Sequence, residues 1–199
     1  MIMKISTLLI PFTLLTTFAV QSQESEYSFK ENYNVSTPTS LKISSSNSNI
    51  SVLSHNSNTI KIQYSVKKDG KLLSVNKSTL KEIIKDQSNI NVINTKNGLS
   101  VEVKNSINEG YINSEDAIII DFKVYVPYQT SCELVSSDGN ISLKGLNSSQ
   151  KCITSDGNIK LSDLNGNVIA KTSDGDITIQ NVTGKVDSHT NDGKIIKTE

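Results

Sequence analysis

The sequence predicts an all-β protein whose C-terminal half is a parallel β-solenoid, or β-helix, with rungs of about 18 residues. The dipeptide Asp-Gly returns at 138–139, 156–157, 174–175 and 192–193, and apolar residues alternate with polar ones on both sides of each copy. A fixed period indicates a repeat architecture, and period-two alternation indicates strands with one buried face. The alternative fold is an antiparallel β meander, in which each Asp-Gly is a hairpin turn.

Each Asp-Gly pair is interpreted as a corner between two strands of one rung. Glycine would supply the positive φ that a tight corner needs, and aspartate tolerates that conformation or bonds its own backbone. The predicted structural turns are Gly139, Gly157, Gly175 and Gly193. The carboxylates beside them, Asp138, Asp156, Asp174 and Asp192, could attract calcium along one edge, but we expect them to serve corner geometry and to stay solvated.

The apolar residues of successive rungs fall at the same phase of the repeat. Stacking the rungs at roughly 4.8 Å would join them into a continuous core, to which each buried Ile or Leu contributes about 1.5–3 kcal/mol before entropy is counted. A solenoid requires like residues at like phases, whereas a meander does not. The predicted core columns are Ile141, Ile159, Ile177 and Ile195, with Leu143, Leu161 and Ile179 beside them.

The last rung is more polar than the others, because it carries Ser188, His189 and Lys197. Polar residues on an exposed end strand discourage edge-to-edge pairing. Each rung is expected to close with a loop such as "LSDLNGN" at 161–167.

The N-terminal half is β-rich with one short helix. The segment 41–68 is a degenerate copy of the repeat, with Asn47 and Ser48 in the place of Asp-Gly. Thr79 and Glu82 are predicted to form a capping box for the helix. The other predicted elements are a strand at 27–35, the helix at 78–86, a hairpin at 90–105 centred on Asn97-Gly98, a polar loop at 105–116 and a strand at 117–127 ended by Pro127.

Residues 1–22 have the pattern of a secretory signal peptide. Lys4 precedes an apolar run from Leu8 to Val20, and small residues follow it. We therefore expect an exported protein, in the periplasm, on the outer surface or outside the cell, with no transmembrane anchor after cleavage. Residues 23–199 are interpreted as a single domain, with the repeats at about 133–199.

The two cysteines, Cys132 and Cys152, lie two positions out of register on neighbouring strands of the predicted stack. That offset implies a Cα separation of roughly 8 Å, beyond the limit of about 7 Å for a disulfide. Two small buried thiols are the favoured interpretation, with a disulfide as the alternative.

The composition excludes some functions. The formal charge is zero and every basic residue is a lysine, which argues against nucleic-acid binding. No catalytic, cofactor or metal-binding constellation is found. His55 and His189 lack Cys or Glu at metal-ligand spacing, and no serine lies in a nucleophile elbow. Lys67 and Lys68 are expected to be solvated rim charges.

Taken together, these features resemble the DUF4097 family of secreted, adhesin-like β-strand-repeat proteins. The resemblance rests on the signal segment, the strands at 41–64, "IIIDFKVYVP", and the rungs "SSDGNISLKGL", "TSDGNIKLSDLNG" and "TSDGDITIQNVTG". It implies a β-solenoid in or outside the bacterial envelope, and it brings no catalytic residues.

The sequence thus predicts a non-enzymatic, adhesin-like binding protein of the cell envelope or surface, whose ligand is a protein or a glycan. It would bind through a flat polar face of stacked Ser, Thr, Asn and Lys. A periplasmic scaffold or accessory protein in envelope-stress sensing is the alternative, and a polysaccharide-active enzyme is a third hypothesis. An exposed apolar patch would favour the scaffold, and a deep acid-lined cleft would favour the enzyme.

Overall fold

The structure is a computed structural model that describes residues 27–105 and 117–199. Most of these residues lie in strands, and one short helix interrupts them. The elements in chain order are β1 (Phe29–Asn34), β2 (Thr39–Ser44), β3 (Ile50–His55), β4 (Thr59–Lys68), β5 (Lys71–Leu72), α1 (Lys77–Gln87), β6 (Ser88–Thr95), β7 (Gly98–Asn105), β8 (Ile118–Pro127), β9 (Thr130–Val135), β10 (Ile141–Lys144), β11 (Gln150–Ile153), β12 (Ile159–Asn165), β13 (Val168–Lys171), β14 (Ile177–Thr183), β15 (Val186–His189) and β16 (Ile195–Thr198).

The strands form two mixed sheets, neither of which closes on itself. Sheet A has the order β1-β4-β8-β3-β10-β12-β14-β16, with β5 on the side of β4, and sheet B has the order β15-β13-β11-β9-β2-β7-β6. The prediction of an all-β fold is confirmed. Side chains of alternate residues point between the two sheets and form the hydrophobic core.

Within the repeat, neighbouring strands of each sheet pair in parallel at an offset of one repeat. Ile141 lies opposite Ile159, Ile159 opposite Ile177, and Ile177 opposite Ile195. The Asp-Gly corner leads from a strand of sheet B to a strand of sheet A, so it is not a hairpin turn. The parallel register is therefore the one that the 18-residue spacing predicts, and the repeat strands do not form an antiparallel meander.

The core columns are buried except at the last rung. Ile141, Leu143, Ile159, Leu161, Ile177 and Ile179 are at most 4% exposed. Ile195, predicted for the same column, is 40% exposed, which corrects that prediction. The reason is that β16 is the end strand of sheet A and has a neighbour on one side only.

The corner glycines serve a different purpose from the predicted one. Positive φ values occur at Gly70, Gly145, Gly166 and Gly184, and Gly139, Gly157, Gly175 and Gly193 do not have them. A Cβ on Gly157 would instead collide with the carbonyl oxygen of Gly139, and one on Gly175 with that of Gly157. Glycine is thus required at each corner because the backbone of the preceding rung in the stack passes too close for a side chain.

Two hydrogen-bond ladders hold the corners together. Inside the corner, the buried Thr172 hydroxyl lies 2.9 Å from the carbonyl oxygen of Ser155 and 3.0 Å from that of Gly157, and it accepts the amide N–H of Gly175. Thr154 and Thr190 repeat this pattern in neighbouring rungs. Each hydroxyl therefore ties its own corner to the corner of the preceding rung.

On the outside, the side-chain oxygen of one residue accepts the backbone N–H of its counterpart one rung further along. This ladder crosses all six rungs, since Asp121 accepts from Asn49, Asn49 from Asn140, Asn140 from Asn158, Asn158 from Asp176 and Asp176 from Lys194. This amide or carboxylate directly after the Asp-Gly corner also recurs every 18 residues, as Asn140, Asn158 and Asp176.

The N-terminal half enters the same stack out of chain order. The β2–β3 rung lies between β7–β8 on one side and β9–β10 on the other, and Ile50 pairs with both Phe122 and Ile141. The first part of the predicted degenerate copy at 41–68 thus stacks directly on the first regular repeat, whereas its last part, β4, pairs antiparallel with β8 and β1. Antiparallel strands β1, β4 and β6 continue the sheets at this end.

The helix α1 begins one turn earlier than its predicted capping box. Its N-cap is Asn76, whose side-chain oxygen accepts the backbone N–H of Thr79 at 3.0 Å. Asparagine is as good an N-cap as threonine, and this choice adds one turn to the helix. Leu80 and Ile84 are its buried residues.

The predicted signal segment and most of the loop at 105–116 lie outside the described residues. Across the part of the chain that the structure describes, no helix is long and apolar enough to cross a bilayer.

Cys132 and Cys152 are free and buried, and Cys132 lies opposite Gln150 while Cys152 lies opposite Leu134. Burial raises the pKa of both thiols, which keeps them protonated and unreactive.

Candidate functional site

The outer face of sheet A presents aligned rows of side chains to solvent. One row runs through Lys61, Tyr125, Leu53, Lys144, Ser162, Gln180 and Thr198, each opposite the next across a strand pair. A second row includes Ser51, Ser142, Lys160 and Thr178. We call this surface the polar face. This face follows from the alternation along β3, β10, β12 and β14, because every second residue of these strands points into the core and the residues between them point outward.

The polar face contains a groove of about 440 Å³ at strands β10, β12 and β14. Its lining includes Leu53 and also Leu143, a core residue of β10, and its other lining residues are polar. The polar residues that line it are Ser142, Lys144, Lys160, Ser162, Asp163, Gln180 and Asn181.

Two residues with left-handed backbone shape one wall of the groove. Asp163 has φ 54° and Asn181 has φ 49°, and they occupy the same position in successive rungs. Both stand outside the ladder, because Ser162 pairs with Gln180 and Leu164 with Val182. Among residues with a side chain, Asp and Asn adopt this conformation most readily.

These two residues are also bonded to their surroundings. The Asn181 amide donates to Asp163 Oδ1 at 3.1 Å, and Lys144 Nζ lies 3.7 Å from Asp163 Oδ2. Sequence analysis missed this pair, since it assigned "LSDLNGN" at 161–167 to a loop. The strand β12 in fact continues to Asn165. The signal was present as Asp or Asn recurring 18 residues apart, at a phase other than that of Asp-Gly.

Lys160 and Gln180 provide the groove with available donors and acceptors. Both are exposed, and neither makes a side-chain bond to any other residue within 27–105 or 117–199. The groove therefore offers an ammonium group, an amide, hydroxyls and one carboxylate over a shallow area. This set matches a hydroxyl-rich or amide-rich ligand, because such ligands need several donors and acceptors at once.

The outer face of sheet B differs because its charges satisfy one another. Glu133 lies 3.0 Å from Lys151 and 3.5 Å from Lys42. The hydrogen bond from Lys151, with the positive charges of Lys151 and Lys42, lowers the pKa of the Glu133 carboxyl. A ligand at this cluster would have to replace existing ion pairs, whereas Lys160 and Gln180 of the polar face are unpaired among the described residues, so the polar face of sheet A is the better candidate site.

The corner carboxylates do not converge. Asp138, Asp156, Asp174 and Asp192 are exposed at successive corners. Within the two described ranges, no group of three or more His, Cys, Asp or Glu residues is placed to hold a metal ion.

The remaining residues considered from the sequence lie apart from the groove. His55 Nε2 donates to the Thr59 carbonyl at 2.7 Å, and His189 lies 3.1 Å from the Asn191 side chain. Lys67 was expected to be solvated, but its ammonium group lies 2.7 Å from Asp121. That ion pair joins β4 to β8 on the outer side of sheet A.

The fold and the groove define a class, namely a β protein with an extended polar surface along stacked strands. Among solved structures, a crystal structure from Clostridium sporogenes ATCC 15579, described as a "putative cell adhesion protein", matches 86% of this chain and 99% of that chain, with a TM-score of 0.51 and 10% sequence identity. This likeness shows a shared fold.

A second crystal structure, a "putative adhesin" from Bacteroides fragilis NCTC 9343, matches 87% of this chain and 98% of that chain at 9% identity, with a TM-score of 0.25. That score is too low to support an argument. No family model matches the chain, and no curated protein matches it in sequence.

Proposed function

We propose that this chain is an exported, non-enzymatic β-solenoid of the DUF4097 type that binds a glycan or protein of the bacterial envelope or surface, in the manner of an adhesin. The groove on the polar face is the binding site. The observation that carries the proposal is the combination in one groove of unpaired polar groups, Lys160 and Gln180, with a wall fixed by Asp163 and Asn181.

Stacked strands suit such a role. Each rung repeats the same backbone, so the polar face presents donors and acceptors at intervals of roughly 4.8 Å along the stack. A ligand with repeating polar units can contact several rungs at once, and many weak contacts then add up. The description of the Clostridium sporogenes structure as a "putative cell adhesion protein" agrees with this interpretation.

Binding without catalysis agrees with the chemistry of the groove. Hydrolysis of a glycosidic bond usually needs two carboxyl groups on either side of the scissile bond. Among the described residues that line the groove, Asp163 is the one carboxylate, and it is held by Asn181 and Lys144.

In the experiment, the purified protein is immobilised and exposed to envelope extract and to soluble glycans from the source organism. The components that it retains are then measured. A groove variant, Lys160→Ala with Gln180→Ala, removes the two unpaired side chains. A matched control variant, Lys30→Ala with Asn32→Ala, removes a lysine and an amide from β1, four strands away from β10 in the same sheet.

We expect the wild type and the control to retain the same glycan or protein and the groove variant to lose it, with thermal midpoints unchanged. The eluted glycan should have its original mass. Equal retention by all three proteins would overturn the groove as the site, and no specific retention by the wild type would overturn the function. A shortened glycan would show an enzyme.

A second candidate function is a scaffold or accessory protein that acts through a protein partner, as in envelope-stress sensing. It is favoured by the end strand β16, where Ile195 and Ile196 are 40% and 47% exposed beside a free strand edge. Such an edge accepts an added strand. Under this function, Ile196→Lys would abolish retention of one protein and leave glycan retention unchanged.

A further inference from the structure

A second cavity lies at the opposite end of the stack from β16. There the two sheets end in the edge strands β1 and β6, and helix α1 lies beside β6. The space between them is a cleft of about 480 Å³, lined by side chains of β1, β4, α1 and β6. Its volume falls within the usual range of small-molecule sites, about 300–1,000 Å³.

The walls of the cleft are mainly apolar and already formed. The rings of Phe29 and Tyr64 stack with centroids 4.2 Å apart and planes 7° apart, and Tyr64 packs edge-on against Phe122. Ile84 of α1 is buried, and Ile90 and Val92 of β6 face the cleft half-buried. These side chains form an apolar surface that stays open to the cleft, because the two sheets do not pack against each other at this point.

The carboxylate in the cleft is already engaged by the protein. Glu31 Oε2 accepts hydrogen bonds from the Tyr33 hydroxyl at 2.6 Å and from the Tyr64 hydroxyl at 3.3 Å. Burial, together with the nearby Glu31, raises the pKa of both tyrosines, so they remain neutral donors. Glu31 thus fixes the aromatic wall and is shielded by two phenols.

The cationic groups at the mouth are not engaged. Lys81 and Lys85 are exposed, both line the cleft, and they lie on one face of α1 because they are four residues apart. Neither forms an ion pair with any residue of the described ranges. The cleft therefore combines an apolar interior with two available positive charges at its rim.

We infer that this cleft binds an amphipathic anion with a single acyl chain and a carboxylate or phosphate head. The chain lies against Phe29, Ile90 and Val92, and the head lies between the ammonium groups of Lys81 and Lys85. The positive rim selects for a negative head, because the two ammonium groups outnumber Glu31, the carboxylate of the lining, whose oxygen is held by two phenols. A free fatty acid and a single-chain phospholipid share this chemistry.

The test is isothermal titration of the purified protein at pH 7.5 with four probes below their micellar concentrations. Dodecanoate, dodecanol and dodecylamine share one chain and differ in head charge, and a twelve-carbon lysophosphatidylglycerol represents the phospholipid source. We expect dodecanoate or the lysophospholipid to bind at least tenfold more tightly than dodecanol and dodecylamine. Which of the two anions binds more tightly assigns the source.

Two charge variants complete the test. Lys81→Ala with Lys85→Ala should weaken binding of the anion at least tenfold at an unchanged thermal midpoint. Lys71→Ala with Lys77→Ala removes two exposed lysines that do not line the cleft and should bind like the wild type. No binding of either anion would overturn the inference, as would equal binding of all heads or tighter binding of dodecylamine. An unaltered affinity in the cleft-lysine variant would overturn the role of the rim.

Discussion

The two ends of the stack differ in how their strands pair and in which side chains fill the core. From β9 onwards every strand pairs in parallel with its own counterpart, and no aromatic residue occurs after Tyr128. At the other end, antiparallel strands and α1 surround the stacked rings of Phe29 and Tyr64. Repetition restricts each column to residues that pack on their own copies. The restriction does not apply at the end formed by β1, β6 and α1, where no repeat is present, and this is the end that contains an apolar cleft.

The largest effect should come from placing a charge in the core column at different distances from the end. Ile159→Asp, in the middle of the stack, buries an unpaired carboxylate and should cost about 4 kcal/mol or more. Ile195→Asp occupies the same phase on an exposed strand and should cost about 1 kcal/mol or less. Urea unfolding followed by circular dichroism measures both. Similar losses would mean that the column is not a layered core.

The next effect concerns the reason for glycine at the corners. Gly157→Ala should cost about 1–3 kcal/mol, because its Cβ meets the backbone of Gly139. Gly157→Asn should be no better, since asparagine relieves a left-handed conformation but not a collision. Gly70 has φ 71° and open space around it, so Gly70→Asn should be milder than Gly70→Ala.

Urea midpoints of the four glycine variants decide this point. If Gly157→Asn were clearly more stable than Gly157→Ala, then backbone conformation would be the reason for the corner glycines, as the sequence alone suggested.

The parts that could be predicted from the sequence are those that the period determines. The columns of Ile141 and Leu143 and the parallel register follow from like residues at like phases. The close approach at Gly157 and the exposure of Ile195 could not be read in the same way, because they depend on what lies above and below a rung. A period shows that rungs stack but not where the stack ends.

The candidate site was less predictable than the fold. Ser142, Lys160 and Thr178 are outward residues of alternating strands, so a polar face follows from the pattern. The groove depends on Asp163 and Asn181, whose left-handed backbone interrupts the pairing of β12 with β14. A local change of backbone conformation in mid-strand has no signature in hydrophobic periodicity.

A smaller effect should follow from removing one hydroxyl of the inner ladder. Thr172→Val deletes a hydroxyl whose one proton lies between two carbonyl oxygens and whose oxygen accepts the Gly175 N–H in a buried corner, which should cost about 1–3 kcal/mol. Thr190→Val makes the same change on the half-buried last rung and should cost about 1 kcal/mol or less. Chemical denaturation compares them, and an equal loss would show that the last rung is as tightly held as the interior.

The smallest effect distinguishes two neighbours on the outside of one corner. Asn158→Ala removes an oxygen that accepts the Asp176 N–H at 2.7 Å, and it should cost about 1 kcal/mol. Asp156→Ala removes an exposed carboxylate and should change the unfolding free energy by less than about 0.5 kcal/mol. Thermal unfolding of both variants, with and without added calcium, measures these changes. A calcium-dependent loss of stability in Asp156→Ala would indicate a metal site.

The position of β2 and β3 has a consequence for how this chain reaches its native state. Their four partners, β7, β8, β9 and β10, are all synthesised later, so one side of the β2–β3 rung stays uncovered until residue 127 has been made and the other side until residue 144. Contacts so distant in sequence form slowly. Deletions from the C-terminus should shorten the stack rung by rung, whereas excision of β2 and β3 would divide it into two pieces.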